Sequence, residues 1–183
     1  MLKKQTFTNY ILNQDETDFE NCIFQKSSFS KLDLDSYEFS DCTFIDCDFS
    51  MTKITGVVFS NVKFIDCKIM GVDFSKCSRF TFSVSFEKCI LNYCFFLKNN
   101  LKKTIFKDCV IKEAAFSECD LSFALFHNCD LLTTVFERNN LECCDFRSAQ
   151  NYNLNPSDNR IKKAKFSYPG VIGLLSHLNI IIE

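Results

Sequence analysis

Cysteine is the side chain here best suited to chemistry: the 183 residues hold twelve, against two histidines and no tryptophan. Thiolates serve as metal ligands, nucleophiles and disulfide partners, and disulfides and zinc sites demand spacings set by bond geometry. No Cys-x-x-Cys pair occurs, and neither His127 nor His177 has cysteines at zinc-finger intervals. Ten of the twelve thiols fall instead on one five-residue grid; Cys77 keeps the phase at a break, and Cys143 lies off it. A thiol that obeys a structural period reads as a small buried side chain. Four glycines argue against a glycine-cradled phosphate site, and no nucleophile–base pair stands out. We therefore expect no catalytic residues, no metal, no cofactor and no enzyme activity.

Composition narrows the class further. A formal charge of −2 excludes the strong field of a dedicated nucleic-acid binder or a polybasic membrane-surface protein, so neither direct partner is expected. No run approaches the roughly 20 apolar residues that span a bilayer. The first residues, MLKKQTFTNYILNQDETDF, hold no apolar stretch of signal-peptide length, so a soluble, cytoplasmic protein is expected.

The grid is set by large apolar residues. Every fifth position is one from Phe19 to Phe74 (Phe19, Phe24, Phe29, Leu34 and onward), and again from Phe86 to Phe146. Ile161 and Phe166 rejoin the phase. A period of five suits neither regular element: on a helix it smears around the cylinder, and on a straight strand alternate repeats face opposite ways. The chain must therefore turn once per repeat. Four right-angle turns close a square, and twenty residues make a coil stacked about 4.8 Å from the next. Phe86, Phe106, Phe126 and Phe146 then form one column and Phe96, Phe116 and Phe136 the opposite one. Cys89, Cys109 and Cys129 stack likewise, in a geometry poor for bridging. The position two before each centre is mostly small, as a crowded inner corner requires; Leu32 and Tyr37 are bulky exceptions that mark either a local widening or an outward turn.

Segments such as Cys47-Asp48-Phe49-Ser50, Cys129-Asp130-Leu131 and Cys144-Asp145-Phe146-Arg147 resemble the repeat of pentapeptide-repeat proteins, small–Asp/Asn–Leu/Phe–polar–polar. The resemblance covers about residues 15–166 and implies an all-β fold, a right-handed quadrilateral β-helix of about seven coils. One domain is expected over 1–183: an N-terminal cap at 1–14 with Phe7 and Leu12 out of phase, a first repeat run at 15–76, a junction bulge at 77–85, a second run at 86–146, an interrupted last coil at 147–166, and a C-terminal helix and tail at 167–183. In the last of these Ser167 is placed to cap a short helix with Pro169 in its first turn. Val171, Ile172, Leu174, Leu175 and Leu178 form its apolar stripe, followed by Ile180–Ile182. This ending is similar in pattern to the dimerisation segment of quinolone-resistance pentapeptide proteins of the Qnr and MfpA type, which implies a homodimer through that helix; capping alone also accounts for it.

Charge is zoned along the chain: residues 15–50 are acidic, 51–112 basic, and 113–158 acidic again. Lys98, Lys102, Lys103, Lys107 and Lys112 circle one coil, and Glu113, Glu118, Asp120, Asp130, Glu137, Glu142 and Asp145 supply the second acidic zone. The position before each centre is apolar at Ile90, Phe95, Ile105, Val110, Leu125 and Val135, a patch for a partner if these point outward. A non-catalytic protein-interaction scaffold is the preferred reading. The resemblance also implies an alternative, a DNA-mimicking dimer that binds a type II topoisomerase (DNA gyrase or topoisomerase IV) and protects it from quinolones. A purely structural solenoid is the third.

Overall fold

Within the repeat runs one residue in five adopts a left-handed backbone, and that conformation turns the chain. In the computed structural model, which describes residues 1–13, 15–178, 180 and 181, these corners have φ between 49° and 73°. Each but Asn151 lies two residues past a large inward side chain, as Asn21 follows Phe19 and Lys103 follows Leu101. Only Gly56 and Gly71 among them are glycine; Asn and Asp, whose short side chains tolerate this region, hold many others. Cys143, the thiol off the grid, is one of these corners.

Between corners run strands of two to four residues, all paired in parallel with the coil above and below. The result is a parallel β-solenoid of about seven turns with four faces. We number the faces by their inward columns. The first carries Phe19, Phe39 and Phe59, then Leu101, Leu121 and Leu141; the second carries Phe24, Phe44 and Phe64, then Phe86, Phe106 and Phe126. The third runs through Phe29, Phe49, Ile69, Leu91, Ile111 and Leu131, and the fourth through Leu34, Ile54, Phe74, Phe96, Phe116 and Phe136. Every one of these side chains is buried.

On the second face nine phenyl rings stack without a gap from Phe7 to Phe166, with centroid separations of 4.7 to 5.4 Å. In the second run the facing column meets it edge-on, as in Phe106–Phe116 at 5.9 Å and 86°. Both arrangements suit the ring quadrupole. The thiol column is longer than the second run implies: Cys47, Cys67, Cys89, Cys109 and Cys129 occupy one corner line, each Sγ bonded to the carbonyl two residues before it. Of the two bulky corner residues, Tyr37 points inward and its hydroxyl donates to Asn13 O at 3.1 Å, whereas Leu32 turns out to solvent.

Three segments refine the sequence reading. Residues 1–13 do more than close the end: Leu2 pairs with Phe19 and Phe7 with Phe24, so this segment adds rungs to the solenoid. The spacing is 17 instead of 20, which is why Phe7 looked out of phase. At the junction the coils re-register by 22 residues, Phe64 facing Phe86; Phe82 turns into the core and Phe80 is 97% exposed. The last coil, interrupted in pattern, is intact in length: Arg160 pairs with Asn140 and Lys165 with Asp145, while Tyr152 and Leu154 fill the core where Asn151 cannot.

The C-terminal helix is two short 3₁₀ segments, Pro169–Leu174 and Ser176–Leu178. Its tighter winding sets side chains three apart in line, so the α-helical stripe does not form. Ser167 Oγ accepts from Gly170 N at 3.2 Å, and Leu154 N donates to Gly173 O at 3.0 Å, which ties the segment across the last coil. Gly170 and Gly173 permit this contact, because a Cβ at either would lie 2.2 Å from Tyr152. Ile182 lies outside the described residues.

Candidate interaction surface

A side chain beside an inward phenyl or leucine must point out, because successive strand residues alternate. Ile90, Ile105 and Val135 are accordingly exposed, and Phe95, Val110 and Leu125 are half-buried at the surface. They do not make one patch. Ile90 and Val110 are neighbours on the third face, Phe95 and Val135 flank Ala115 on the fourth, and Ile105 pairs with Leu125 on the second. The sequence reading missed Ile45 and Ile65, which follow their centres instead of preceding them and point out from the second face. Ile65 and Ile105 line a shallow groove of about 260 Å³ there, with Lys63 and Lys107 at its rim. Strand alternation around Phe44 and Phe64 was the available signal.

The charged candidates are dispersed in the same way. Asp120 and Glu142 lie on the first face, Asp145 on the second, Glu113 and Asp130 on the third, Glu118 and Glu137 on the fourth, as their 20-residue phase places them. Several are already paired with cations of adjoining coils. Glu118 meets Lys98 at 3.4 Å and Arg138 at 3.3 Å; Asp130 meets Lys112 at 2.9 Å, and Glu142 meets Arg160 at 2.9 Å. Asp145 is bridged by Arg147 at 2.8 Å, and that guanidinium holds its carboxyl below the usual carboxylate range. The basic coil is partly neutralised too, since Lys107 meets Glu87 at 2.7 Å.

At the C-terminal end the five apolar candidates divide. Leu174 packs on the core and Leu175 is half-buried, while Val171, Ile172 and Leu178 face solvent. Beside them lies a groove of about 770 Å³ between the last coil and the 3₁₀ segments, walled by Leu132, Pro169 and Ile172 with Asn128 and Arg147 at its edge. Ser148, also on this groove, brings its Oγ to 3.2 Å from His127 Nδ1. Their 21-residue separation is one coil plus one, a proximity that inspection for nucleophile–base pairs missed. Both are at the surface, Ser148 Oγ accepts from Asn128 N, and no carboxylate orients the imidazole among the described residues. The pair therefore lacks the base–orienter contact and water exclusion of a catalytic dyad.

Most of the thiols outside the five-thiol column are held protonated by burial. Desolvation pushes Cys42 and Cys119 up to about 11 and Cys77 and Cys94 up to about 12. Within the five-thiol column each Sγ donates to backbone carbonyls, and the influence of neighbouring thiols on one another raises Cys47, Cys89 and Cys129 while lowering Cys67 and Cys109. No group of three or more potential ligands converges on a point among the described residues.

The periodicity has a counterpart in known proteins. Residues 38–77 and 114–149 match the pentapeptide-repeats model in eight copies. No curated protein sequence matches significantly. Among solved structures, a trypsin-treated variant of QnrB1, a plasmid-mediated fluoroquinolone resistance protein, is 22% identical over 100% of this chain and 97% of its own, with a TM-score of 0.49. HetL, a pentapeptide repeat protein involved in heterocyst differentiation regulation from the cyanobacterium Nostoc sp. strain PCC 7120, is 13% identical over 91% and 84%, with a TM-score of 0.46. With one inward apolar side chain, one small corner residue and one left-handed turn in every five residues, residues 38–77 and 114–149 are pentapeptide repeats, and the same period runs through the coils beside them.

Proposed function

We propose that this protein is a non-catalytic scaffold that binds another protein along the flat faces of its solenoid. The observation that carries the reading is the set of apolar side chains placed outward on rigid rungs, foremost Ile105, Leu125 and Ile65 on the second face and Ile90 and Val110 on the third. A filled interior leaves the outer surface as the only place for recognition, and apolar columns at β-spacing give a partner a pre-ordered surface at little entropic cost. The test is proximity labelling in the native cells, comparing the wild type with the Ile105→Lys/Leu125→Lys variant. A defined set of labelled proteins that the variant loses is expected; identical sets overturn the reading.

The topoisomerase-mimic alternative needs a continuous negative face to meet a basic saddle. The carboxylates of residues 113–158 are spread over four faces and several are ion-paired, so the geometry favours the scaffold. A gyrase supercoiling assay with and without ciprofloxacin decides between them. Inhibition or protection by the protein would restore the mimic.

The exposed Val171, Ile172 and Leu178 support a homodimer through the C-terminal segment. Light scattering of the Ile172→Glu/Leu178→Glu variant tests it: a salt-insensitive dimer that this variant abolishes is expected. A wild type lacking such a dimer at micromolar concentration sinks it.

A further inference from the structure

We propose a second, electrostatic association: the first face is self-complementary, and a second copy of the chain docks on it antiparallel. Asp18 and Glu38 are direct register partners on this face, with Asp41 at the adjoining corner. The next rung, Val58–Ser60, is uncharged and pairs with the Glu38 rung. Beyond it comes the junction bulge, fixed to the same face by Ser78 N to Val57 O at 2.8 Å and Ser83 N to Phe59 O at 2.9 Å; it presents Arg79. The following rung presents Lys102 and Lys103, which share a notch with Ser83.

Four carboxylates thus lie one and two rungs to one side of Val58, of which Glu20 is already bridged by Lys3, and three cations lie one and two rungs to the other. A two-fold axis lying in the plane of the interface, along the Val58 rung, brings the two faces together and lays each acidic rung on a basic one. That is an isologous contact, in which one patch serves both copies.

Within the basic coil, pairing inside the chain spares this face. Lys98, Lys107 and Lys112, on the other three sides of the basic coil, are each bridged to a carboxylate of a neighbouring coil. None of Asp18, Glu38, Asp41, Arg79, Lys102 and Lys103 forms an ion pair among the described residues, and all but the half-buried Asp18 are exposed. Like charges directly opposed, as Asp18 and Glu38 are, destabilise a sheet, and a partner's cations relieve that repulsion. Nucleic acid and anionic lipid are disfavoured as occupants, because the acidic rungs of the same flat face repel them. A second copy supplies both signs in register.

One side of the solenoid is narrower than a standard interface, so the association is weak, on the order of tens of micromolar, and steeply salt-dependent. Sedimentation velocity on the Ile172→Glu/Leu178→Glu chain isolates it from any end-to-end contact. A monomer–dimer equilibrium is expected at roughly 20 mM salt, weakened at least about tenfold at roughly 300 mM. Lys102→Glu/Lys103→Glu and Asp18→Lys/Glu38→Lys, each added alone, should leave a monomer. An equimolar mixture of these two should associate again, since one copy then presents mostly acidic rungs, keeping Arg79, and the other mostly basic ones, keeping Asp41. That recovery cannot come from a misfolded chain. The proposal is overturned by a monomer at about 500 μM in low salt, by association that survives Lys102→Glu/Lys103→Glu, or by a mixture that stays monomeric.

Discussion

The rings of Phe64 and Phe86 stack at 5.4 Å and 11°, although 22 residues separate them where every other coil of the repeat runs uses 20. The phenyl column therefore dictates the register, and the chain expels the surplus as the bulge at the junction. Phe82 turns back into the core at 5% exposure, and Phe80 stays in water. Phe82→Ala should cost about 3 kcal/mol, as deletion of a buried ring does, and Phe80→Ser less than about 0.5 kcal/mol. Urea denaturation of the two variants measures both. Equal losses would mean that the bulge is held by Phe80 and not by register.

The corners carry a second expectation. Thr133 sits at φ 57° with a β-branched side chain, in a region that suits Asn or Gly. Its hydroxyl bonds only its neighbour's carbonyl, Leu132 O, at 2.6 Å, and the residue is exposed. Thr133→Asn should raise stability by about 0.5–1 kcal/mol by relieving backbone strain without touching the core. An unchanged or lower urea midpoint would show that the corner costs Thr nothing.

The columns were legible because burial imposes one strict rule: the residue inside a square coil must be large and apolar at every fifth place. Hence the Phe96–Phe116–Phe136 column and the Cys89–Cys109–Cys129 stack could be placed from spacing alone. What the period does not encode was missed. The 17-residue first coil hid Phe7, because the loss of three residues changes the phase without changing residue type. The Ser148–His127 contact joins two surface positions, which the inner rule leaves free. Charge zones along the chain also misled, since coiling distributes a linear acidic stretch over four faces and sets Glu118 against Lys98 and Arg138.

Alkaline pH should unfold this protein steeply. Burial holds Cys42 and Cys119 protonated to about 11, and Cys77 and Cys94 to about 12. In the unfolded chain a thiol ionises near about 8.5. The folded state therefore binds more protons above that pH, and stability, full below it, falls by about 1.4 kcal/mol per pH unit for each such thiol until its folded value is reached. Urea midpoints in reducing buffer at pH 7, 9 and 10 should drop progressively, and Cys94→Ala should flatten the slope by one thiol. A midpoint constant to pH 10 would place these thiols in solvent.

At the acid end Asp145 acts in the opposite sense. Arg147 Nε and Nη2 donate to it at 3.0 and 2.8 Å and lower its proton affinity in the folded chain. The unfolded carboxyl titrates near about 3.9, so the contribution is present above that pH and is lost as pH falls through the lower folded value. Because Arg147 is largely exposed, the contribution should be at most about 1 kcal/mol. Arg147→Gln should lower the urea midpoint at pH 6 and leave it unchanged at pH 2. An equal loss at both pH values would assign the effect to packing of the long side chain.

The last coils replace thiols with a polar ladder, and its chemistry is strict. Asn139 Oδ1 accepts from Cys119 N at 2.9 Å while its Nδ2 donates to Phe116 O at 2.8 Å; Asn159 repeats the pattern on Asn139 N and Phe136 O, each at 2.9 Å. The site needs a donor on one side, and Cys119, one coil above in the same column, meets that need with a thiol directed at Phe96 O. Asn139→Cys should therefore cost only about 1 kcal/mol, keeping a donor near the carbonyl. Asn139→Asp, nearly identical in shape, turns an acceptor toward Phe116 O and buries a charge, so it should cost more than about 3 kcal/mol at pH 7 and recover in part near pH 4 as the carboxyl takes a proton. Denaturation of both variants at the two pH values separates shape from hydrogen bonding: equal losses would make the ladder a matter of volume alone.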